Sequence, residues 1–247
     1  MSLKQVIALS LKKNINISCQ YCGTRSHSLF SELTDKDLAN IGHGKTCIKY
    51  KKGQTLFYEG TRPMGIFCIN SGKVKVYKMS SEGKEQILTL SKPGDFLGYR
   101  ALISEEFYNA SATVIEEAAI CYIPKSNFLE ILNNNPSFFQ KLMKAVCHEL
   151  GLMEQQLVTI AQKSVRERLA TTLLMLKETY GMEGSESTLI DIALSREDLA
   201  NIIGTATETV IRLLSEFKND QLISLEGKKI KVMNPHGLMK EADLYSF

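Results

Sequence analysis

One stretch constrains this chain more than any other: residues 195–220, SREDLANIIGTATETVIRLLSEFKND. Ser195 suits a helix N-cap, and Asp198 three residues on completes a capping box. Leu199, Ile202 and Ile203 give a first short helix its apolar side. Gly204 stands where the chain must turn, and Thr205 or Thr207 can cap a second helix. Val210, Leu213, Leu214 and Phe217 then recur at helical spacing and predict its buried face. The opposite face, at the N-terminal end, carries Thr207, Glu208, Ile211 and Arg212, with Thr209 beside them. A helix placed in a major groove presents such residues: Arg offers a fork that fits guanine, and Glu accepts from the cytosine amino group. Glu208 and Arg212 are four apart and can also pair with each other. For this stretch alone, an ordinary surface ion pair is the competing reading.

The rest of the chain decides between them. A leader over 1–34 carries Cys19-Gln20-Tyr21-Cys22. A short helix follows from Thr34, with Leu38 and Ile41 on its apolar side. From about residue 46 to 124 the pattern changes to short strand-like runs at 55–58, 65–69, 73–77, 86–90 and 118–124, punctuated by glycines. Several short strands with regular turn signals predict a β-barrel or sandwich, and 81–84 reads as a hairpin turn. From about residue 135 the period becomes helical. Phe139, Met143, Val146, Leu150, Met153, Leu157 and Ile160 alternate by fours and threes, a seam that favours a partner helix over packing on the chain's own β-module. Gly151 weakens that helix by roughly 1 kcal/mol relative to Ala. Ser164 caps a further helix with Val165, Leu169, Leu173, Leu176 and Tyr180 buried, ended by Gly181. A polar loop over 182–187 and a strand over 189–193 lead into 195–220. Two short strands around a Gly227-Lys228 turn come after it. Two helices followed by a hairpin make a winged helix, whose wing offers Lys228 and Lys229 to phosphates.

Charge tempers the nucleic-acid reading. The 247 residues carry a net charge of +3, but 164–247 holds 10 basic and 13 acidic residues, a balance of −3. Phosphate contacts there must come from a local cluster and not from a general basic field. No apolar run is long enough to cross a membrane, and the N-terminus has no signal-peptide pattern. Six unevenly spaced cysteines do not form a secreted disulfide framework, which points to a reducing cytoplasm. No Ser-His-Asp, HExxH or P-loop pattern appears, and the four histidines are scattered, so no enzyme is expected.

The whole order resembles the cyclic-AMP receptor/FNR family of bacterial transcription regulators, nearest the FNR-like branch of Bacteroidetes. Three blocks carry the resemblance: KKGQTLFYEG at 51–60, PGDFLG at 93–98, and the segment 195–217 with GTATETVIRLL. The resemblance implies an α+β chain: a cysteine-bearing leader over 1–34, a double-stranded β-roll sensor over 35–134, a dimerisation helix over 135–163 and a winged helix-turn-helix over 164–247. It implies a homodimer on a two-fold symmetric operator, with RNA polymerase as a further partner if the protein activates. The expected DNA contacts are Ser195, Thr207, Glu208, Thr209, Ile211, Arg212, Lys228 and Lys229. Glu208 and Arg212 match the family's base-reading pair, whereas Thr207 and Ile211 depart from its pattern. A non-DNA ligand-binding or redox-sensing module is the alternative.

Cyclic-nucleotide-binding relatives hold the phosphate with an acid and an Arg in the roll. Here Tyr99 replaces the acid and Ala110 the Arg, so cAMP is not the expected effector. The matching pocket positions are Gly98, Tyr99, Arg100, Asn109 and Ser111. FNR-like members hold a [4Fe–4S] cluster through cysteines of the leader and the roll. Cys19, Cys22 and Cys121 match such positions. The third leader cysteine is missing, with Ser28 and Ser31 at the relevant spacings and His27, Cys47 or Cys68 as substitutes. The CxxC pair alone also suits zinc or a redox dithiol, and Cys68, Cys121 and Cys147 also suit burial as small apolar residues.

Overall fold

The computed structural model describes residues 14–182 and 188–244; most of the 182–187 loop expected from the sequence lies outside them. The chain forms two compact units, Met1–Met79 with Leu88–His148, and Ser80–Ile87 with Glu149–Phe247.

The first unit is built on one sheet. Its strands are β1 (Asn14–Ile15), β2 (Thr46–Tyr50), β3 (Thr55–Phe57), β4 (Gly65–Met79), β5 (Glu85–Ser91), β6 (Phe96–Leu97) and β7 (Ser111–Pro124). The order is β1-β2-β7-β4-β5, with β3 also on β7 and β6 on β4. The runs read as separate strands over 65–69 and 73–77 are one long strand, β4, interrupted by register shifts between Ile69 and Val74 where it pairs with β7. β7 likewise begins at Ser111 and not at 118. Both strands carry a nearly unbroken buried run at one end, which hides the alternation that would have joined the pieces.

Helix α1 (Asp35–Gly44) starts at Thr34 as expected, in a capping box with Asp37 that the structure adds, and buries Leu38 and Ile41. Helices α2 (Tyr99–Ile103) and α3 (Lys125–Asn134) were not legible in the sequence. Phe30, Leu38, Ile41, Phe128 and Phe138 join the inward face of the sheet in one apolar cluster. The long helix α4 (Pro136–Gln162) follows. Only Phe138 and Leu142 are buried on it, while Phe139, Met143, Leu150, Leu157 and Ile160 of the seam are exposed and Val146 and Met153 half-buried.

The second unit holds α5 (Val165–Tyr180), β8 (Thr188–Ile190), α6 (Arg196–Ile203), α7 (Thr207–Asn219), β9 (Ile223–Glu226), β10 (Lys229–Val232) and α8 (Pro235–Glu241). Ser164 caps α5 in a capping box with Glu167. β8 pairs with β10, which pairs with β9, so the expected two-stranded wing is three-stranded. Leu169, Leu173, Leu176, Leu199, Val210, Phe217, Val232 and Leu238 are buried in this unit. No described helix is long and apolar enough to cross a membrane.

Candidate functional site

The candidate reading head sits in the second unit. Ser195 accepts from the Asp198 amide at 2.9 Å, and the Asp198 carboxylate accepts the Ser195 amide at 3.0 Å and its hydroxyl at 2.7 Å. The Ser195 side chain is thus committed to starting α6. Gly204 ends α6 with φ +69°, a left-handed conformation in which a side chain is strained. Neither Thr205 nor Thr207 caps α7. Ala206 is the N-cap, without a side-chain hydrogen bond, because Thr207 is already the first helical residue.

Val210, Leu213, Leu214 and Phe217 are buried as the spacing predicts. That burial turns Glu208, Ile211 and Arg212 to solvent, with Thr207 and Thr209 half-buried beside them. The expected Glu208–Arg212 pair does not form. Arg212 Nη1 donates instead to Glu216 Oε1 at 2.5 Å. Glu216 is itself fixed, since its other oxygen accepts Arg166 Nη1 at 2.8 Å. Glu208 lies in the first turn, where the helix dipole favours a carboxylate without a cationic partner. Arg166 also donates to Glu241 at 2.6 Å and Asp220 at 2.9 Å and lies 4.7 Å from the Phe217 ring centroid. Glu241 first, then Asp220, hold its guanidinium above the ordinary arginine value, against the opposing effect of burial. In the wing, Arg196 donates to the Gly227 carbonyl at 3.1 Å, and Lys228 and Lys229 are exposed. Sequence reasoning missed Arg166, Arg196 and Glu216, because their partners lie on other elements or compete with a nearer one.

The second site lies within the first unit. Cys19, Cys22, Cys68 and Cys121 line one cavity together with Lys45, Asn70 and Ser28. The register explains the convergence. Cys121 of β7 is paired with Cys47 of β2 on one side and with Cys68 of β4 on the other. Directly opposed residues share a sheet face, so three sulfurs stand in a row. The leader turn lays Cys19 and Cys22 over that row. Lys45 Nζ donates to Cys19 Sγ at 2.9 Å, and Asn70 Nδ2 to Cys22 Sγ at 3.2 Å. Cys22 Sγ also lies 3.2 Å from Thr24 Oγ1. Burial raises the Cys22 thiol, but the Thr24 and Asn70 hydrogen bonds and the Lys45 charge outweigh it and hold the group below its ordinary value. Burial pushes Cys68 up to about 12.

One expectation fails here. Cys121 is not a free thiolate: it is bonded to Cys47, whose Cα lies 3.9 Å away across the strand pair. A four-thiolate cluster needs free sulfurs around a space of its own. The cavity measures about 20 Å³, room for about one water molecule. Among the described residues, no three His, Cys, Asp or Glu side chains are gathered as a metal ion requires. Ser28 is occupied in a cap, accepting from the Phe30 amide and donating to the Arg25 carbonyl. His27 is exposed. The residues as arranged do not fit an iron–sulfur cluster.

The matching effector positions differ in exposure. Tyr99 and Ser111 are buried, Arg100 and Asn109 exposed. Gly98, at φ +85°, packs against Tyr108, whose ring carbon would lie 3.1 Å from an added Cβ. Tyr108 stacks on Phe57 at 4.0 Å. Aromatic rings fill this part of the roll.

A β-roll joined to a capped helix-turn-helix with a wing defines a sensor–regulator of transcription, not an enzyme. Residues 47–135 match the model of the cyclic nucleotide-binding domain, and 167–241 that of the Crp-like helix-turn-helix domain. The chain belongs to the CRP/FNR family of DNA-binding transcription regulators. It is 29% identical over 217 residues to the transcriptional activator protein anr of Pseudomonas aeruginosa, covering 87% of this chain and 88% of that one. It is 27% identical over 227 residues to the fumarate and nitrate reduction regulatory protein of Vibrio cholerae, covering 92% and 90%. Among solved structures, FixK2 from Bradyrhizobium japonicum superposes with a TM-score of 0.70 at 24% identity, over 79% of this chain and 96% of that chain.

Proposed function

We propose that this protein is a cytoplasmic homodimeric regulator that reads a two-fold symmetric operator and takes its signal from the cysteine pocket. In this reading Glu208 and Arg212 contact bases, Thr207, Thr209 and Ile211 shape the edges of the half-site, and Lys228 and Lys229 meet phosphates. Ser195 acts through α6, whose first turn it holds. The exposed seam of α4 supplies the dimer interface, and RNA polymerase is the further partner where the protein activates. The observation that carries the reading is the exposed Glu208–Ile211–Arg212 face of a helix whose opposite face is fully buried. A redox signal is supported by the gathered cysteines and by a relative named the anaerobic regulatory protein of Haemophilus influenzae, 29% identical over 227 residues. The non-DNA alternative is dropped, since the chain matches a Crp-like helix-turn-helix model over 167–241.

The test is operator selection from random duplex, followed by titration of the selected site with Arg212→Ala. A loss of about 1–3 kcal/mol at that base pair is expected. Unchanged affinity and an unchanged selected sequence would remove Arg212 from the reading pair.

A further inference from the structure

The cavity sees only one end of the disulfide. Cys121 lines it, whereas Cys47 does not. Cys22 and Cys19 line the same cavity from the leader, and Cys68 from the far strand. Thiol–disulfide exchange requires a thiolate to reach one sulfur of the bond while the other leaves. A nucleophile in this cavity therefore faces Cys121 Sγ, with Cys47 Sγ as the leaving group.

Three thiols compete for the attack. Cys68 is 9% exposed, buried on β4, and desolvation disfavours its thiolate. Cys19 Sγ accepts from the Lys45 ammonium at 2.9 Å, which favours its thiolate but ties the sulfur to that side chain. Cys22 Sγ is half-buried and is served by the Asn70 amide and the Thr24 hydroxyl, neutral partners that steady a thiolate. It also belongs to the leader turn, outside the sheet, where no strand pairing fixes its backbone.

We infer that the cavity is an internal thiol–disulfide exchange site in which Cys22 attacks Cys121 and releases Cys47. Cys22 gives its proton to water. The Cys22–Cys121 bond forms as the Cys121–Cys47 bond breaks, its electron pair leaves on Cys47 Sγ, and that sulfur takes a proton. One disulfide stands on each side of the step, so neither oxidant nor reductant is consumed. The consequence is a change in what is stapled. The Cys47–Cys121 bond ties β2 to β7 within the sheet, whereas a Cys22–Cys121 bond ties the leader to the sheet. Disulfides in cytosolic proteins are commonly transient, catalytic or redox-sensing, which suits a bond that can move.

This inference rests on reading the cysteine pocket as the signal-receiving site, so the test has two separate arms. In the first, full-length protein prepared without reductant is quenched with an alkylating reagent, and its disulfides are mapped by peptide mass spectrometry. The expected result is two populations: Cys47–Cys121 with Cys22 alkylated, and Cys22–Cys121 with Cys47 alkylated. Cys22→Ser should lose the second population and all Cys47 alkylation. Cys47→Ser, mildly oxidised with diamide, should form Cys22–Cys121. A single Cys47–Cys121 population in the wild type, or pairing of Cys121 with Cys68 or Cys19 in Cys47→Ser, would overturn the exchange. The wild-type map needs no variant to fold. In the second arm, operator affinity is compared between the two trapped forms. Equal affinities with both populations mapped would leave the exchange standing and remove its role as the signal.

Discussion

In the proposed reading, Arg212 is both a base-reading side chain and one end of an internal ion pair. Glu216 holds it at 2.5 Å and is in turn held by Arg166. Reading a guanine means giving up that pair, so the free protein competes with its own operator for the guanidinium. Pairs spaced i,i+4 on a helix surface contribute about 0.3–0.5 kcal/mol, and Arg212 is well exposed. Glu216→Gln should therefore tighten the selected operator by roughly twofold, from the same pairwise energy, measured by fluorescence anisotropy against duplex of scrambled sequence. Weaker or unchanged specific binding would show that the pair positions Arg212 instead of competing for it. The Glu208–Arg212 spacing was legible in the sequence but the actual partner was not. Position i+4 exists on both sides of Arg212, and what selects Glu216 is Arg166, 46 residues upstream on another helix.

Elements whose start depends on neighbouring residues were the most legible. Ser195 forms the capping box that its spacing to Asp198 announces, and Thr34 and Ser164, read as helix starts, cap their helices in boxes with Asp37 and Glu167. A cap is a local device, satisfied within four residues, so no tertiary information is needed to find it. Ser195→Ala should cost about 1 kcal/mol, seen as faster amide exchange in the first turn of α6 and a lower unfolding midpoint. Unaltered exchange there would mean that packing of Leu199 and Ile203 alone sets the helix start. Strand register is the opposite case. The sequence gives each strand a period of two but nothing that says which residue faces which. The row Cys47–Cys121–Cys68 depends on β7 lying between β2 and β4 in one particular register, and only the sheet reveals it. Cys68 therefore read equally well as a small buried apolar residue.

At the scale of the molecule, the seam of α4 leaves large apolar side chains exposed along one helix. Leu157 is 69% exposed and Leu150 57%. Leu157→Glu should convert the proposed dimer to monomer in sedimentation velocity, and operator binding should weaken and become steeply concentration-dependent. A variant that stays dimeric would move the interface elsewhere. The order of modules was legible because each has its own period, and the change of period marks the joins. The interior of the β-roll was legible only by what it lacks. There the packing of Tyr108 on Phe57 and Gly98 limits what the interior can accept. Ala110 is 3% exposed, so Ala110→Arg would bury an unpaired cation, a change worth several kcal/mol against folding. The roll is already full of its own side chains, so a ligand entering there must first displace an aromatic ring.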